Sequence, residues 1–447
     1  MLAGTQRALH GVWGTGAPFL TALRVEGSVL PMPPLRWFVV WGIVSACACA
    51  AFVLAGGSAG AAPAAAAQGK AITARPPTRD QLIAGLNPRV RTLVDGKLTS
   101  RLSGGNRAVL TLDPSLDDFV TKLLKRNEVP YAGVVAMVPS TGRLLAYVSH
   151  SSAEPNGSDR CLDASAPAAS VFKVITATAL LNEGVSPARS TCYHGGSHAL
   201  TMRELVDNPK LDRACASLTG ALGFSINAVV GKLALKHLDP KKLERQANLY
   251  GFGENLPFDM VTEKSALEVP KDDLEFARTA AGFWHMHLSP LHGAAIAATI
   301  ANKGRMMRPE LVDQVLDANG SVISRSSPTL YRKVTEPHIA AQLGTMMTAT
   351  VKQGTSRRTF HDARGRALVP GIEIAGKTGT LSKESPYRGY SWWVGFAPVD
   401  DPKIALAVLV VNSPNWRIKA SQVAAETLRH YLVEMPKKAP VAKVARH

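Results

Sequence analysis

GIEIAGKTGT (Gly371–Thr380), SWWVGFAPV (Ser391–Val399) and KIALAVLVV (Lys403–Val411) are three apolar runs separated by turn residues. Continuous apolar runs of this length, rich in β-branched residues, are what a buried antiparallel sheet requires. SQVAAETLRHYL, residues 421–432, follows them with helical spacing and would cover one face of that sheet. Far upstream, AVLTLDP (108–114) reads as a short strand ending at Asp113-Pro114, an N-cap followed by proline at the first helical position. SLDDFVTKLLKR (115–126) continues as an amphipathic helix. AGVVAMV (132–138), the turn Pro139-Ser140-Thr141-Gly142 and RLLAYVS (143–149) read as a hairpin. From about Ala168 to Met347 helical patterns dominate. Strands, a helical block, strands and a final helix, closed on one sheet, predict an α+β body with an all-helical insert.

The chain has 447 residues and a formal net charge of +17, and the position of those charges matters more than their sum. Residues 1–106 carry ten Lys/Arg against three Asp/Glu, and the tail from Pro436 adds Lys437, Lys438, Lys443 and Arg446. Residues 107–434 keep 37 basic and 31 acidic side chains, a nearly balanced body. That body lacks Arg/Lys clusters interleaved with aromatics, zinc-finger spacing and a helix-turn-helix signature, so nucleic-acid binding is not expected. With 46% hydrophobic and 19% charged residues, and without a repeat, the chain is neither disordered nor a solenoid.

The basic N-terminus has its own explanation. No charged residue lies between Arg36 and Lys70, and WFVVWGIVSACACAAFVLAG (Trp37–Gly56) is long enough to cross a bilayer as a helix. Arg7, Arg24 and Arg36 precede it with only Glu26 opposing, which sets the N-terminus inside and the body outside. The following GSAGAAPAAAA offers small-residue cleavage sites, so an uncleaved anchor and a removed signal peptide both stay open, and Met32 is an alternative start. The expected organisation is a basic segment (1–36), an anchor or signal core (37–56), a linker (57–106) with at most a short helix near Arg79–Leu86, the body (107–434) and a basic tail (435–447). An exported body permits disulfides. Cys47 and Cys49 lie inside the apolar segment. Of Cys161, Cys192 and Cys215, the last two flank a turn-rich polar segment, and the reading favours pairing them.

Three short motifs follow one another in the body. Ser170-Val171-Phe172-Lys173 is S-x-x-K, and a spacing of three on a helix lets the amine reach the hydroxyl. Burial among Val171, Phe172, Val174 and Ile175, near a helix N-terminus, would lower the lysine pKa and make it a usable base. Ser225-Ile226-Asn227 is S-x-N, a second hydroxyl for proton relay and an amide to orient lysine and substrate. Lys377-Thr378-Gly379-Thr380 offers a cation and two hydroxyls for a carboxylate, with Gly379 letting substrate lie close along a strand. Each motif alone is weak: Ser170 could simply cap a helix, and Ser413-Pro414-Asn415 is a second S-x-N in the wrong order. In order, on helix, loop and strand, they form a joint signal.

With these motifs and the stretches around them, residues 107–434 resemble the transpeptidase domain of the penicillin-binding proteins, within the serine penicillin-recognising enzymes. PAASVFKVITATALLNEG, GFSINAVVGKLALKHL, SPLHGAAIAATIANKGRMMRPELV and VKQGTSRRTF carry the likeness beyond the motifs themselves. The resemblance implies a five-stranded antiparallel sheet flanked by helices with an all-helical subdomain, as in β-lactamases. It implies Ser170 as acylated nucleophile, Lys173 as base, Ser225 as proton relay and Asn227 as holder of the acyl-side amide. Lys377, Thr378, Gly379 and Thr380 would form the carboxylate-binding strand, and the N–H groups of Ser170 and Thr380 the oxyanion hole. The implied substrates are peptidoglycan stem peptides ending in D-Ala-D-Ala, cross-linked through an acyl-enzyme that β-lactams would trap, with no metal or cofactor. A D,D-carboxypeptidase or serine β-lactamase is the alternative, with Glu254, Glu263 or Glu268 available as a deacylating base; a non-catalytic sensor ranks lower. About 50 residues separate the apolar segment from the domain, so a glycosyltransferase domain is not expected, and which cell-wall synthesis proteins it joins stays open.

Other polar features invite blander readings. His194, His198, His285, His287 and His292 lack matching acidic or cysteine spacing for zinc, although His285 and His287 would lie near the cleft. Trp392-Trp393 reads as core and cleft wall, and Arg357-Arg358 as a solvated loop.

Overall fold

The computed structural model describes residues 77–197 and 199–438. The basic segment 1–36, the apolar segment 37–56, the first part of the 57–106 stretch, His198 and the end of the tail lie outside the described residues. Among the described residues no helix is long and apolar enough to cross a membrane.

The three apolar runs form adjacent antiparallel strands, Ala375–Glu384, Tyr387–Ala397 and Ile404–Asn412, and the hairpin Tyr131–Met137/Leu144–Ser151 completes a five-stranded sheet beside them. The Ile404–Asn412 strand lies at the centre, paired Val408↔Val134 on one side and Val408↔Trp393 on the other. Every residue of it is buried, because both faces of the sheet are covered; this is why Ile404–Val411 is continuously apolar rather than alternating, with only the terminal Asn412 polar. On one face Val134, Leu406, Val408 and Trp393 pack against the Pro114–Arg126 and Ala420–Arg429 helices through Leu116, Val120, Val423 and Leu428. On the other, Val135, Ala407, Leu409 and Trp392 meet the Pro290–Ala301 helix, which is buried from Pro290 to Ile300. The Ala375–Glu384 strand is at the sheet edge, with one side unpaired.

The helical insert comprises Lys173–Asn182, Leu218–Phe224, Asn227–His237, Pro240–Leu249 and Asp273–Ala281. Within it a two-stranded ribbon, Ser190–Tyr193 with Ala214–Ser217, places Cys192 opposite Cys215, and a disulfide joins them; Cys161 is buried and free.

The stretch read as linker folds over its second half. Arg79–Leu82 is a helical turn, and Thr92–Val94 and Lys97–Arg101 form a hairpin across Asp95-Gly96, both at positive φ (49° and 73°). With Arg107–Leu110, Val312–Leu316 and Val322–Arg325 they make a second five-stranded sheet. Asp-Gly at a two-residue turn is a strong hairpin signal, but the flanking strands are mostly exposed and show no apolar alternation. Val312–Leu316 and Val322–Arg325 likewise show no apolar alternation, within a region that otherwise reads as helical. This second sheet is held to the body by Asp259. Its buried carboxylate pairs with Arg79 and Arg308 and accepts from the backbone N–H groups of Leu311 and Val312.

Candidate active site

Ser170 lies in the tight 3-10 turn Ala169–Phe172 that opens the Lys173–Asn182 helix. The turn is gripped from both sides. Ala168 donates to the Met286 carbonyl, Leu288 donates to that of Ala166, and the Trp392 indole donates to the Pro167 carbonyl at 2.8 Å. Ala169 takes a left-handed φ of 51°, and the Gly379 Cα faces Ala168 and Ala169, so the edge strand runs directly beside the serine.

One helical turn on, the Lys173 ammonium is fully buried. It donates to Ser170 Oγ at 2.8 Å, to Asn227 Oδ1 at 2.7 Å and to the Ala281 carbonyl. Among the described residues no carboxylate contacts it. Burial, and then the positive charge of Lys377, hold its pKa well below 10.5. An amine in that state, hydrogen-bonded to a hydroxyl, can take the hydroxyl proton.

Ser225 ends the Leu218–Phe224 helix in a left-handed conformation (φ 60°), and this sharp reversal starts the next helix at Asn227. The Asn227 amide works at both ends: its oxygen accepts from Lys173, and its nitrogen donates to the carbonyls of Gly196 (2.9 Å) and Ser197 (3.4 Å). Lys377 reaches out of the edge strand to donate to Ser225 Oγ at 3.0 Å and to the Thr378 carbonyl at 2.8 Å. It too is fully buried, without an acidic partner among the described residues, and burial lowers its pKa to about 7. Thr378 shares a 2.6 Å hydroxyl contact with Thr355.

Ser170, Ser225, Asn227, Thr378 and Thr380 all line one cleft of about 670 Å³, with Lys173 and Lys377 buried just behind its wall. The three sequence motifs therefore converge on one place. No Asp or Glu is among the described residues lining it; hydroxyls, two lysine amines at the wall and aromatic rings make a cleft suited to an anionic ligand. Glu254 is occupied by Arg332, and Glu263 accepts from the Ala164 N–H; neither they nor Glu268 line the cleft.

Sequence reasoning missed the backbone groups. The Gly196, Ser197 and Ala281 carbonyls fix Asn227 and Lys173, and carbonyls leave no side-chain signature. It also missed Thr355, Phe224, Tyr387 and Trp416, which line the cleft from loops, a helix end and a strand start. Trp392 is cleft wall and core together, and Trp393 is core against Phe360. His285 is bound to Glu275 and His292 to the Tyr250 carbonyl, and among the described residues no group of His, Cys, Asp and Glu could hold a metal. Arg357 and Arg358 are exposed.

A family model described as the penicillin binding protein transpeptidase domain matches residues 132–432. The peptidoglycan D,D-transpeptidase PbpA of Mycolicibacterium smegmatis is 28% identical over 367 residues, covering 74% of this chain and 72% of that protein. The Mycobacterium tuberculosis (strain ATCC 25618 / H37Rv) protein of the same name is 30% identical over 312 residues, 62% of this chain and 61% of its own length. The solved structure of penicillin-binding protein A from M. tuberculosis as an imipenem acyl-enzyme complex superposes with a TM-score of 0.61 at 26% identity. That match covers 72% of this chain and 79% of that one.

Proposed function

The chain belongs to the penicillin-binding protein transpeptidase family, and from that premise we propose that it is a peptidoglycan D,D-transpeptidase acting through an acyl-enzyme on Ser170. The observation that carries this reading is the unbroken hydrogen-bonded run Ser170–Lys173–Asn227, facing Ser225–Lys377, in one cleft with no Asp or Glu among its described lining residues.

In this reading neutral Lys173 takes the Ser170 proton as Oγ attacks the penultimate D-Ala carbonyl of a stem peptide. The N–H groups of Ser170 and Thr380 hold the oxyanion, where loss of one donor costs ~3 kcal/mol. Lys377, Thr378 and Thr380 bind the terminal carboxylate, and Ser225, polarised by Lys377, passes a proton to the departing D-Ala amine. An amine from a neighbouring stem peptide then attacks the ester and forms the cross-link. A β-lactam enters by the same attack, and with no Asp or Glu among the described lining residues water is poorly activated against its ester. The N-terminal charge asymmetry supports display of this domain on the outer face of the cytoplasmic membrane, through residues 37–56.

Intact-mass and peptide-mapping spectrometry after incubation with penicillin tests the reading. The expected result is one adduct, on Ser170, that persists for minutes or longer and is absent from Ser170→Ala. Labelling elsewhere, or release within seconds as in a hydrolase, would overturn it.

A further inference from the structure

Asn227 is held in place by a loop whose own anchor is not among the residues lining the cleft. The chain leaves the Ser190–Tyr193 strand, passes His194, Gly195 and Gly196, and presents the Gly196 and Ser197 carbonyls to the Asn227 amide. Behind that loop stands Asp212. Its carboxylate meets His194 Nδ1 at 2.5 Å and Lys232 Nζ at 2.6 Å, and accepts from the Asn208 N–H at 2.9 Å. Lys232 belongs to the helix that Asn227 begins, and its ammonium also donates to the Cys192 carbonyl. One carboxylate thus ties the loop to the helix carrying Asn227. With side-chain exposures of 6% for Asp212 and 5% for Lys232, the tie is shielded from water. Its contacts, to His194 first and Lys232 second, keep the Asp212 carboxyl well below the usual carboxylate range.

The other attachment of the loop is the ribbon before it. Four residues pair with four, an amount of sheet that is marginal in water by itself. The Cys192–Cys215 disulfide crosses the middle of this ribbon, and both cysteines are exposed.

We propose that the Cys192–Cys215 disulfide and the Asp212 carboxylate are a positioning device for Asn227, making acylation of Ser170 dependent on the oxidised disulfide. This rests on Ser170 being the acylated residue. A dithiol delivers two electrons and two protons to the S–S bond, leaving two thiols and closing to its own disulfide. With the ribbon released, the Gly196 and Ser197 carbonyls leave the Asn227 amide, and Asn227 Oδ1 no longer holds the Lys173 amine toward Ser170. The loss falls on the chemical step, because Lys173 and Asn227 act there, rather than on initial binding.

The experiment follows stopped-flow acylation of the full-length protein by a fluorescent penicillin. It is run before reduction by dithiothreitol, after it, and after reoxidation, with thiol counting to verify each state. Reduction is expected to lower the limiting acylation rate at least ten-fold with the initial dissociation constant unchanged and labelling still stoichiometric, and reoxidation to restore it. Asp212→Asn should show the same loss without reduction, and Cys192→Ser/Cys215→Ser should be slow and insensitive to dithiol. An unchanged limiting rate after verified reduction would overturn the proposal, as would a loss confined to the dissociation constant or collapse of labelling stoichiometry. Failure of the untreated protein to be acylated at all would instead strike the functional reading on which the proposal stands.

Discussion

Gly282 lies so close to Ala169 that a Cβ built on it would sit 2.3 Å from the Ala169 carbonyl oxygen. Its φ of 87° is also one that side-chain-bearing residues avoid, and it follows Ala281, whose carbonyl accepts from Lys173. Gly282→Ala must therefore displace the turn that presents Ser170. A shift of about 1 Å in a reacting group can cost on the order of a hundred-fold in rate. The variant is expected to acylate 10- to 100-fold more slowly by that measure, with a melting temperature only modestly lowered; a wild-type rate would contradict the packing argument.

The two buried lysines demand opposite protonation states. Lys173 must be neutral to accept the Ser170 proton, so acylation rises as pH climbs through its lowered pKa. Lys377 must be charged to attract a carboxylate, so the rate falls as pH climbs through about 7. The second-order rate constant for penicillin acylation should trace a bell whose alkaline limb starts near pH 7. Lys377→Gln should weaken acylation and abolish that limb. A limb that survives the substitution belongs to some other group.

What could be read from the sequence follows from where the information is stored. The Ile404–Asn412 strand is covered on both faces, so its burial is written in eight consecutive apolar residues, Ile404 to Val411. Ser170 and Lys173 act through side chains one helical turn apart, so their relation survives as spacing. The Gly196 and Ala281 carbonyls are equally close to the chemistry, yet any residue has a carbonyl. Thr355 meets Thr378 only because two distant segments fold together, and the Asp95-Gly96 hairpin carries turn chemistry without an apolar face to announce its strands.

Lys377 also makes stability depend on pH. Burial lowers its folded pKa from the ordinary 10.5 to about 7, so between those values the unfolded chain binds a proton the folded chain has released. Stability therefore rises with pH across that window and is lost as pH falls toward 7, by up to ~1.4 kcal/mol per pH unit. Lys173 acts in the same direction. Lys377→Met removes one titrating amine, so its stability relative to wild type should be greatest near pH 7 and shrink toward pH 10. Parallel denaturation curves for both proteins across that range would refute this.

Asp259 predicts a stability effect away from the chemistry. Its carboxylate is wholly buried, meeting Arg308 at 3.0 Å and Arg79 at 3.3 Å, and it accepts from Leu311 and Val312 at 2.8 Å each. Asp259→Ala leaves two guanidinium groups and two buried N–H donors without this acceptor. Breaking a buried pair from one side costs roughly 3–5 kcal/mol, which at roughly 2–4 °C per kcal/mol lowers the melting temperature by about 10 °C. Because the carboxylate is what holds Arg79 and the second sheet to the body, hydrogen exchange should quicken first at Leu311, Val312 and the Lys97–Arg101 strand. Exchange that instead rises uniformly, or a melting point within about 2 °C of wild type, less than 1 kcal/mol on the same scale, would show that Asp259 is not the joint.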